Sequence, residues 1–357
     1  MESSSEITWR KVRKFEDEYS FVRKLGSGTF GTCFLVRSLS SRKLCVIKAL
    51  HDSLSDDICQ EVDILTSISR LHPSILAYYD HFAIRSLPEN MALMCKEKCT
   101  HCIVTEYVEG DTLLGLAQQM HANKEALQPA FLHSLLLTGL HGLKFLHEDV
   151  KLAHRDVKPG NILVTPDARM VFIDFGLSVL LHRKRAPQDD SGTPNYFSPN
   201  LIMLSRQQER ATHLMWFASD IWSLGAALFF LCTGHEVAEL YADRERTFEE
   251  VLAFKCPKVV YPFNKELNSI ICDMLIPDQH SRPTANELHE RVLNIRLLRQ
   301  RSNPARDKNK DANRGVLNPR SGNIMISENA MICNGVFDGA ENSEPIAKRT
   351  RLTAAVL

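Results

Sequence analysis

The feature that most constrains the fold is a change of hydrophobic pattern near Gly110. Before it, short apolar and β-branched runs typical of strands begin at Tyr19 and surround one helical segment that begins near Ser55. The apolar residues at helical spacing in that segment are Ile58, Val62, Leu65 and Ile68. Beyond Gly110 the apolar runs are longer and helical. We therefore expect two lobes, 19–108 rich in strands and 109–298 mainly helical.

Each lobe has recognisable elements. In the first, Phe34–Leu39 and Leu44–Leu50 read as a hairpin, and two further strand candidates flank a polar excursion. These strands are Ile75–Ala83 and Cys102–Val108, and the excursion is Arg85–His101. The helices expected in the second lobe are Pro129–Glu148, Ser219–Cys232, 247–255, 266–275 and 284–298.

The overall charge narrows the class of protein. Forty-three Lys and Arg residues balance forty-three Asp and Glu residues, which argues against holding nucleic acid or a membrane by bulk charge.

The longest strongly apolar stretch, Leu224–Cys232, is shorter than the ~20 residues that span a bilayer. Ten scattered cysteines and the absence of a signal-peptide pattern at the start predict free thiols in a reducing compartment. We expect a soluble, cytoplasmic protein.

The two ends are expected to be tails. Residues 1–18 are polar and mixed in charge, and residues 299–357 have the composition of a disordered segment. The basic cluster 348–351 makes nuclear import an alternative location. Within the excursion, Cys95, Cys99, His101 and Cys102 do not have a familiar zinc spacing, and a plain loop insertion is favoured over a metal site.

A glycine-rich turn follows the first strand, with the sequence Gly26-Ser27-Gly28-Thr29-Phe30-Gly31. Alone, this spacing is weak, because dinucleotide-binding turns share it. A dinucleotide turn is followed by a helix, whereas Thr32–Val36 has the pattern of a strand. The glycines therefore favour a hairpin lid whose backbone amides approach phosphates.

Three further motifs follow in order: the segment Cys45–Lys48, then His154–Asn161 (HRDVKPGN), then Asp174-Phe175-Gly176. Together with Glu61 on the helical segment, they resemble the motifs of eukaryotic protein kinases of the serine/threonine type, over residues 19–298. The resemblance implies an α+β, two-lobed protein kinase fold, with a small antiparallel β lobe bearing one helix and a larger helical lobe.

The resemblance also implies roles in phosphoryl transfer with ATP and Mg²⁺ as cofactors. Lys48 would hold the α- and β-phosphates, and Glu61 would orient that lysine. Asp156 would accept a hydrogen bond from the substrate hydroxyl, and Lys158 would neutralise charge on the γ-phosphate. The two implied metal ligands are Asn161 and Asp174.

An adenine site is implied next to these residues. Thr105 would be a small gatekeeper, and the backbones of Glu106 and Val108 would bind adenine. The implied nucleotide-binding residues are Leu25, Gly26, Ser27, Gly28, Thr29, Phe30, Gly31, Cys33, Val46, Lys48, Thr105, Glu106, Val108 and Leu163. In the roof above Leu163, Cys33 stands where the family usually has valine, and Val46 stands where it usually has alanine. One contact shrinks while the other grows, so the volume of the site is nearly kept and ATP should still fit.

The sequence departs from the family pattern in the activation segment. Asn200 stands where a carboxylate usually pairs with a buried arginine, here Arg282, so this lobe should be less stable unless the site is rebuilt. The run Gly192–Tyr196 (GTPNY) resembles that of polo-like kinases, whose activating phosphothreonine lies four residues before the threonine of the run; Asp189 occupies that place here. It could pair with Arg155 and the basic stretch 182–185 and permit partial activity without phosphorylation; a solvated loop residue is equally compatible, with Ser191 as another regulatory site.

The preferred reading is therefore a serine/threonine protein kinase with protein substrates. A scaffold that has lost transfer and a kinase of small molecules are the alternatives. Gly160 and Phe230 stand where kinases that prefer basic substrates usually have acids, which disfavours such a preference. The sequence does not indicate an oligomeric state.

Overall fold

The computed structural model describes residues 12–28, 30–51, 55–180, 191–207, 212–240, 253, 255–258 and 260–301. The side chains of 55–59, 204–207, 213, 239–240 and 296–301 are not described within these ranges. The expected helix 247–255 falls almost wholly outside them, as do residues 302–357 of the expected C-terminal tail.

The small lobe is built on a six-stranded sheet in the order β1-β5-β6-β4-β3-β2. The strands are β1 (Val12–Arg13), β2 (Tyr19–Ser27), β3 (Gly31–Ser38), β4 (Leu44–His51), β5 (Tyr78–Ile84) and β6 (Cys99–Glu106). All neighbours are antiparallel except β1 and β5, which are parallel. The long helix α2 (Ser55–Ile68) belongs to this lobe, and its Val62, Leu65 and Ile68 are buried.

Residues 12–18, which the sequence analysis treated as part of a tail, have structure and pack on the small lobe. β1 pairs with β5, and a short helix α1 (Phe15–Glu18) follows it. Phe15 is buried beside the Tyr19 ring, which in turn stacks on Phe82, in the apolar cluster of the sheet. Such short elements carry no hydrophobic periodicity, so their composition resembles that of a tail.

The polar excursion after β5 also has structure of its own. It contains a third small-lobe helix, α3 (Glu89–Ala92), whose Met91 is fully buried under the sheet. The four-residue helices α1 and α3 accompany α2, the long helix expected for this lobe. Lys24 of β2 donates a hydrogen bond to Met94 O at 2.9 Å, which fastens the excursion to the sheet.

The large lobe is helical, as expected. Its helices are α4 (Leu113–Asn123), α5 (Pro129–Lys144), α6 (Pro199–Gln207), α7 (His213–Thr233), α8 (Lys265–Met274) and α9 (Ala285–Arg301). Short strands lie at the lobe junction: β7 (Asp111–Thr112), β8 (Leu152–Ala153), β9 (Ile162–Val164), β10 (Met170–Phe172) and β11 (Val179–Leu180). A π-helical segment, Phe145–Val150, continues α5.

Helix α7 is the apolar centre of this lobe. It begins after Thr212, whose hydroxyl accepts from Met215 N, and ends at Gly234, whose φ of 78° suits glycine. By length and composition alone, the segment Leu214–Thr233 could cross a membrane, and it is longer than the apolar stretch identified from the sequence. However, 72% of its most apolar part is buried inside the lobe. It packs as a core helix.

Candidate functional site

The upper half of the cleft between the lobes holds one ammonium group between two carboxylates. Lys48 Nζ lies 2.8 Å from Glu61 Oε1, 3.0 Å from Glu61 Oε2 and 2.9 Å from Asp174 Oδ1. All three side chains are at most 13% exposed. Three residues far apart in sequence therefore form one buried ionic group.

Local structure explains this convergence. Lys48 lies on the central strand β4, opposite Cys33 of β3 and Ile103 of β6. Glu61 lies on α2, which is held against the lobe by its buried apolar face. Asp174 follows β10 with a φ of 63°, a left-handed conformation unusual for a side-chain-bearing residue.

Burial and charge compete in setting the protonation of this group. Burial lowers the pKa of Lys48, but the carboxylates of Asp174 and Glu61 outweigh it and hold the pKa above its ordinary value. Burial raises the pKa of Asp174, yet the Lys48 ammonium overrides it and leaves the pKa below the usual range. Lys48 and Asp174 are therefore both charged at neutral pH.

The lower half of the cleft joins Asp156 to three partners. Asn161 Nδ2 donates to Asp156 Oδ2 at 2.7 Å, and Thr193 Oγ1 donates to Asp156 Oδ1 at 2.7 Å. Lys158 Nζ lies 2.9 Å from Asp156 Oδ2 and donates to Thr193 Oγ1 at 2.8 Å. Thr193 thus bridges the carboxylate and the ammonium.

The backbone of this loop is held from below by Asp220 of α7. Its carboxylate accepts from His154 N at 2.8 Å and Arg155 N at 2.9 Å, and lies 2.9 Å from His147 Nε2. Asp220 is 2% exposed. Two backbone amides and one ring therefore fix the loop that carries Asp156.

An apolar cavity opens beside the ionic group. Its roof and floor belong to one cluster that includes Leu25, Cys33, Val46, Val108 and Leu163. Its inner end encloses about 470 Å³ of space, some of it open to solvent. The residues lining this inner end are Cys33, Val46, Lys48, Glu61, Leu65, Leu76, Ile103, Thr105, Ile173 and Asp174.

The segment that connects the lobes is fixed by its own hydrogen bonds. Glu106 N donates to Ala77 O at 2.9 Å, and Glu106 Oε1 accepts from Ala77 N at 2.8 Å. Thr105, which precedes it, lies at the cavity wall and is buried. The residues assigned to the adenine site from the sequence are thus brought to one cavity wall or to the strand that ends there.

The glycine-rich turn closes as a hairpin between β2 and β3. Gly28 N donates to Gly31 O at 2.8 Å, and Ser27 Oγ and Thr32 Oγ1 lie 3.2 Å apart. A Cβ on Gly31 would lie 2.2 Å from Ala49 O, so only glycine fits there. Phe30 lies beside Lys48, with its ring centroid 5.9 Å from Nζ. Thr29 lies outside the described residues.

One cysteine departs from the expectation of free thiols. Seven described cysteines are free: Cys45, Cys95, Cys99, Cys102, Cys232, Cys256 and Cys272. Cys33, in the cavity roof, is disulfide-bonded. The expectation is therefore wrong for Cys33, because proximity in the fold, rather than spacing in sequence, decides which thiols can pair.

The arginine site beneath the activation segment uses main-chain carbonyls. Arg282 donates to Ile276 O at 2.8 Å, Ala218 O at 2.6 Å and Pro277 O at 3.0 Å, and its guanidinium lies 5.1 Å from the Trp222 ring. Asn200 Oδ1 is buried and has no hydrogen-bond partner among the described residues. Carbonyl oxygens thus surround the guanidinium here, whereas the family pattern places a carboxylate near it.

The regulatory hypothesis for Asp189 is not tested by the structure. Asp189 and the basic stretch 182–185 lie outside the described residues. Arg155, its suggested partner, is buried; its guanidinium lies 4.3 Å from the Trp216 ring and donates to Leu177 O at 3.3 Å. The hypothesis stays a prediction.

Sequence reasoning did not assign Thr193 to the site. It lies in the activation segment, where the sequence analysis singled out only Asp189, Ser191 and Asn200. Its hydroxyl is nevertheless the atom that joins Asp156 and Lys158. The sequence feature that could have indicated this role is a threonine, a small residue with a hydroxyl, directly after Gly192. Within the described part of the chain, no group of three or more His, Cys, Asp or Glu residues is placed to hold a metal ion.

Comparison with known proteins agrees with this geometry. The family model "Protein kinase domain" matches residues 19–293. Human serine/threonine-protein kinase Nek2 is 28% identical over 287 residues, covering 78% of this chain and 60% of the relative. Serine/threonine-protein kinase Nek6 of Oryza sativa subsp. japonica is 29% identical over 280 residues, covering 76% and 47%. Mouse myosin-IIIa is 30% identical over 280 residues, covering 76% and 16%.

The chain thus spans 60% or less of the length of these relatives. The family match covers both halves of the cleft and runs almost to the end of the described residues. This chain belongs to the protein kinase family.

Proposed function

We propose that the protein transfers the γ-phosphate of ATP to serine or threonine hydroxyls of protein substrates. One observation carries the proposal: Asp156, held by Asn161 and Thr193 beside Lys158, faces the same cleft as the buried ionic group of Lys48. Phosphoryl transfer needs positioned phosphates, neutralised charge and an oriented hydroxyl. The two halves of the cleft offer groups for each of these needs.

The oxygen donors of the cleft suit Mg²⁺, the expected cofactor. Asp174 and Asn161 carry carboxylate and amide oxygens, the ligands that this ion prefers. Asn161 Nδ2 donates both to Asp156 O at 2.9 Å and to Asp156 Oδ2, so Oδ1 is the atom that it would offer to the ion. When bound, Mg²⁺ would supply positive charge that neutralises phosphate oxygens.

The side chains of the cleft have separate tasks in this proposal. Asp156 accepts a hydrogen bond from the substrate hydroxyl and orients it, and Lys158 neutralises charge on the transferred group. Thr193 holds both at a fixed distance. Lys48, oriented by Glu61, binds the α- and β-phosphates. Lysine at position 158 is the feature that favours serine and threonine acceptors over tyrosine.

The relatives named as serine/threonine-protein kinases support the acceptor class. A scaffold without transfer is the competing function, but a chain that had lost transfer would be free to lose Lys48, Asp156 or Asp174. All three are present and engaged in the cleft. Protein substrates and a cytoplasmic location form part of the same proposal, in keeping with the balanced charge.

The test measures transfer of labelled γ-phosphate to a generic protein and to the kinase itself. Wild type and Asp156→Asn are purified from bacteria and dephosphorylated, with Asp149→Asn as the matched control, because Asp149 is exposed. We expect a loss of at least about 100-fold for Asp156→Asn and none for the control. A silent wild type that binds ATP with Mg²⁺ would contradict transfer without prior activation and favour the scaffold.

A further inference from the structure

Two thiols meet in the excursion between β5 and β6. Cys95 follows α3 and its Sγ donates to Met91 O at 3.5 Å, while Cys99 begins β6 with its Sγ 3.6 Å from Ala49 O. Both side chains belong to the apolar cluster of the sheet, Cys99 within it and Cys95 packed against it, and each thiol shifts the pKa of the other through a side-chain hydrogen bond. Because the residues are four apart in sequence and pack in one apolar cluster, their sulfurs lie in the same region of the lobe, which a bond between them requires.

The two thiols differ in their access to solvent. Cys95 is partly exposed, next to Leu93 and Met94, which are 81% and 37% exposed. Cys99 is buried at 4% exposure. A small oxidant can therefore reach Cys95 from solvent, whereas Cys99 meets an oxidised group only through Cys95.

The pKa values of the two thiols also differ, and the more exposed thiol has the lower pKa. The hydrogen bond from Cys99 outweighs burial and, with the Thr32 hydroxyl and the Lys24 ammonium, lowers the pKa of Cys95 to about 7. The hydrogen bond to Cys95, followed by burial, raises the pKa of Cys99. At neutral pH a substantial share of Cys95 is thiolate, the form that attacks oxidants.

We propose that Cys95 and Cys99 form a peroxide-sensitive pair, in which Cys95 reacts first and Cys99 completes a disulfide. This modification site is separate from the proposed phosphoryl transfer and does not rest on it. Partly exposed thiols with an adjacent resolving thiol are the usual setting of reversible oxidation.

The chemistry has two steps. The Cys95 thiolate attacks one oxygen of hydrogen peroxide, the O–O bond breaks, and hydroxide leaves and takes a proton to become water. The sulfur is now a sulfenic acid. Cys99 attacks that sulfur, the S–S bond forms and the S–O bond breaks, and the departing hydroxide takes the Cys99 proton. Two thiols are oxidised to one disulfide, and one peroxide is reduced to two waters.

The first step prepares the second. The main cause of the raised pKa of Cys99 is its hydrogen bond to the Cys95 thiolate, and that thiolate disappears when the sulfenic acid forms. Cys102, which lies on the same strand, does not compete, because it is fully buried and burial raises its pKa. The order of reaction is therefore set by exposure and by the hydrogen bond within the pair.

The experiment uses the full chain, reduced and then freed of reductant. Hydrogen peroxide is added for timed intervals, remaining thiols are blocked in denaturant, and peptides are mapped without reduction by mass spectrometry. We expect a Cys95–Cys99 linked peptide to accumulate at least about tenfold faster than oxidation of Cys45 or Cys102. Absence of that linked peptide would overturn the proposal.

Three variants separate the steps. Cys99→Ser should leave Cys95 as a sulfenic acid that dimedone traps, and Cys95→Ser should leave Cys99 blockable after peroxide. Cys102→Ser is the matched control and should form the linkage at the wild-type rate. The proposal fails if Cys99 is oxidised as fast in Cys95→Ser as in wild type, or if dimedone labels nothing at Cys95 in Cys99→Ser. Circular dichroism confirms that each variant is folded before it is scored.

Discussion

The two halves of the cleft balance their charges differently. In the upper half, the single ammonium of Lys48 faces the two carboxylates of Glu61 and Asp174. In the lower half, the ammonium of Lys158 faces the single carboxylate of Asp156, and neutral donors complete the set. The upper half therefore has an excess of negative charge that a divalent cation would neutralise, whereas the lower half is balanced by the protein alone.

The strongest test of this difference removes each ammonium in turn. Lys48→Met leaves two buried carboxylates without their partner and should lower the free energy of unfolding by about 3–5 kcal/mol. Lys158→Met should cost less, because Asp156 keeps its bonds from Asn161 and Thr193. Urea denaturation at pH 7 measures both. Equal losses would contradict the difference between the halves.

The bridge in the lower half can be broken without changing charge. Thr193→Val keeps the shape of the side chain but removes the hydroxyl between Asp156 and Lys158. We expect the transfer rate to fall about 10- to 100-fold, with ATP affinity unchanged because the upper half is intact. Thr193→Ser, which restores a hydroxyl, should recover most of the rate. If the valine variant loses ATP affinity and not rate, the two halves do not act separately.

The upper half can also be perturbed through its support on the large lobe. His72 holds the segment that leads to the cavity residue Leu76. Its Nε2 lies 3.0 Å from His141 Nδ1, and its Nδ1 accepts a hydrogen bond from Ser74 N. Burial, followed by the charge of His141, lowers the pKa of His72 to about 4, and His289 opposes its protonation while Asp149 favours it. His72 is therefore neutral in the folded protein at neutral pH.

This sets the direction of a pH effect on stability. The unfolded state binds a proton near the ordinary pKa of 6.5 and the folded state only near 4, so stability falls as the pH drops from about 6.5 towards 4. We expect His72→Asn to remove about 1–2 kcal/mol of that loss, since asparagine does not titrate. The measurement is urea unfolding between pH 7 and 4.5, with the exposed His280→Asn as the control. An unchanged pH slope would exclude His72 as its source.

The smallest effect concerns Arg282, below the lower half, which donates hydrogen bonds to the carbonyl oxygens of Ile276, Ala218 and Pro277. Asn200→Glu should place a carboxylate in the region of Arg282 and raise the free energy of unfolding by about 1 kcal/mol. Asn200→Gln, which adds the same length without charge, should not. Thermal unfolding distinguishes the two. No rise, or a fall, for the glutamate variant would mean that the carbonyl cage around Arg282 has fully replaced the ion pair.

Sequence motifs were enough to predict which residues form the upper half. Lys48, Glu61 and Asp174 each stand in a motif of fixed order, and a kinase fold brings such motifs together, as the structure does. The fold class followed from the same motifs and from the change of pattern at Gly110. These predictions worked because the information is local: strand, helix and turn each have their own signal.

Long-range pairings were not predictable in this way. The bond of Thr193 to Asp156 joins two segments by side chains alone, and the disulfide of Cys33 depends on a neighbour that sequence spacing does not reveal. The carbonyl cage of Arg282 is likewise built from backbone, which every residue has. Contacts made by groups that many residues carry, such as backbone carbonyls and hydroxyls, produce no recognisable pattern in the sequence.

The two-residue strand β1 has a consequence for the sheet as a whole. It pairs with Ala83 and Ile84 at the end of β5, and Arg13 fastens it there through Asp80, 2.6 Å from Nη1. Without it, that end of β5 would present unpaired backbone groups, which are the usual template for edge-to-edge aggregation. A fragment cut at Tyr19, where the family match begins, would lose this cover together with Phe15. The segment before the matched domain thus shields the end of β5 from pairing with another strand.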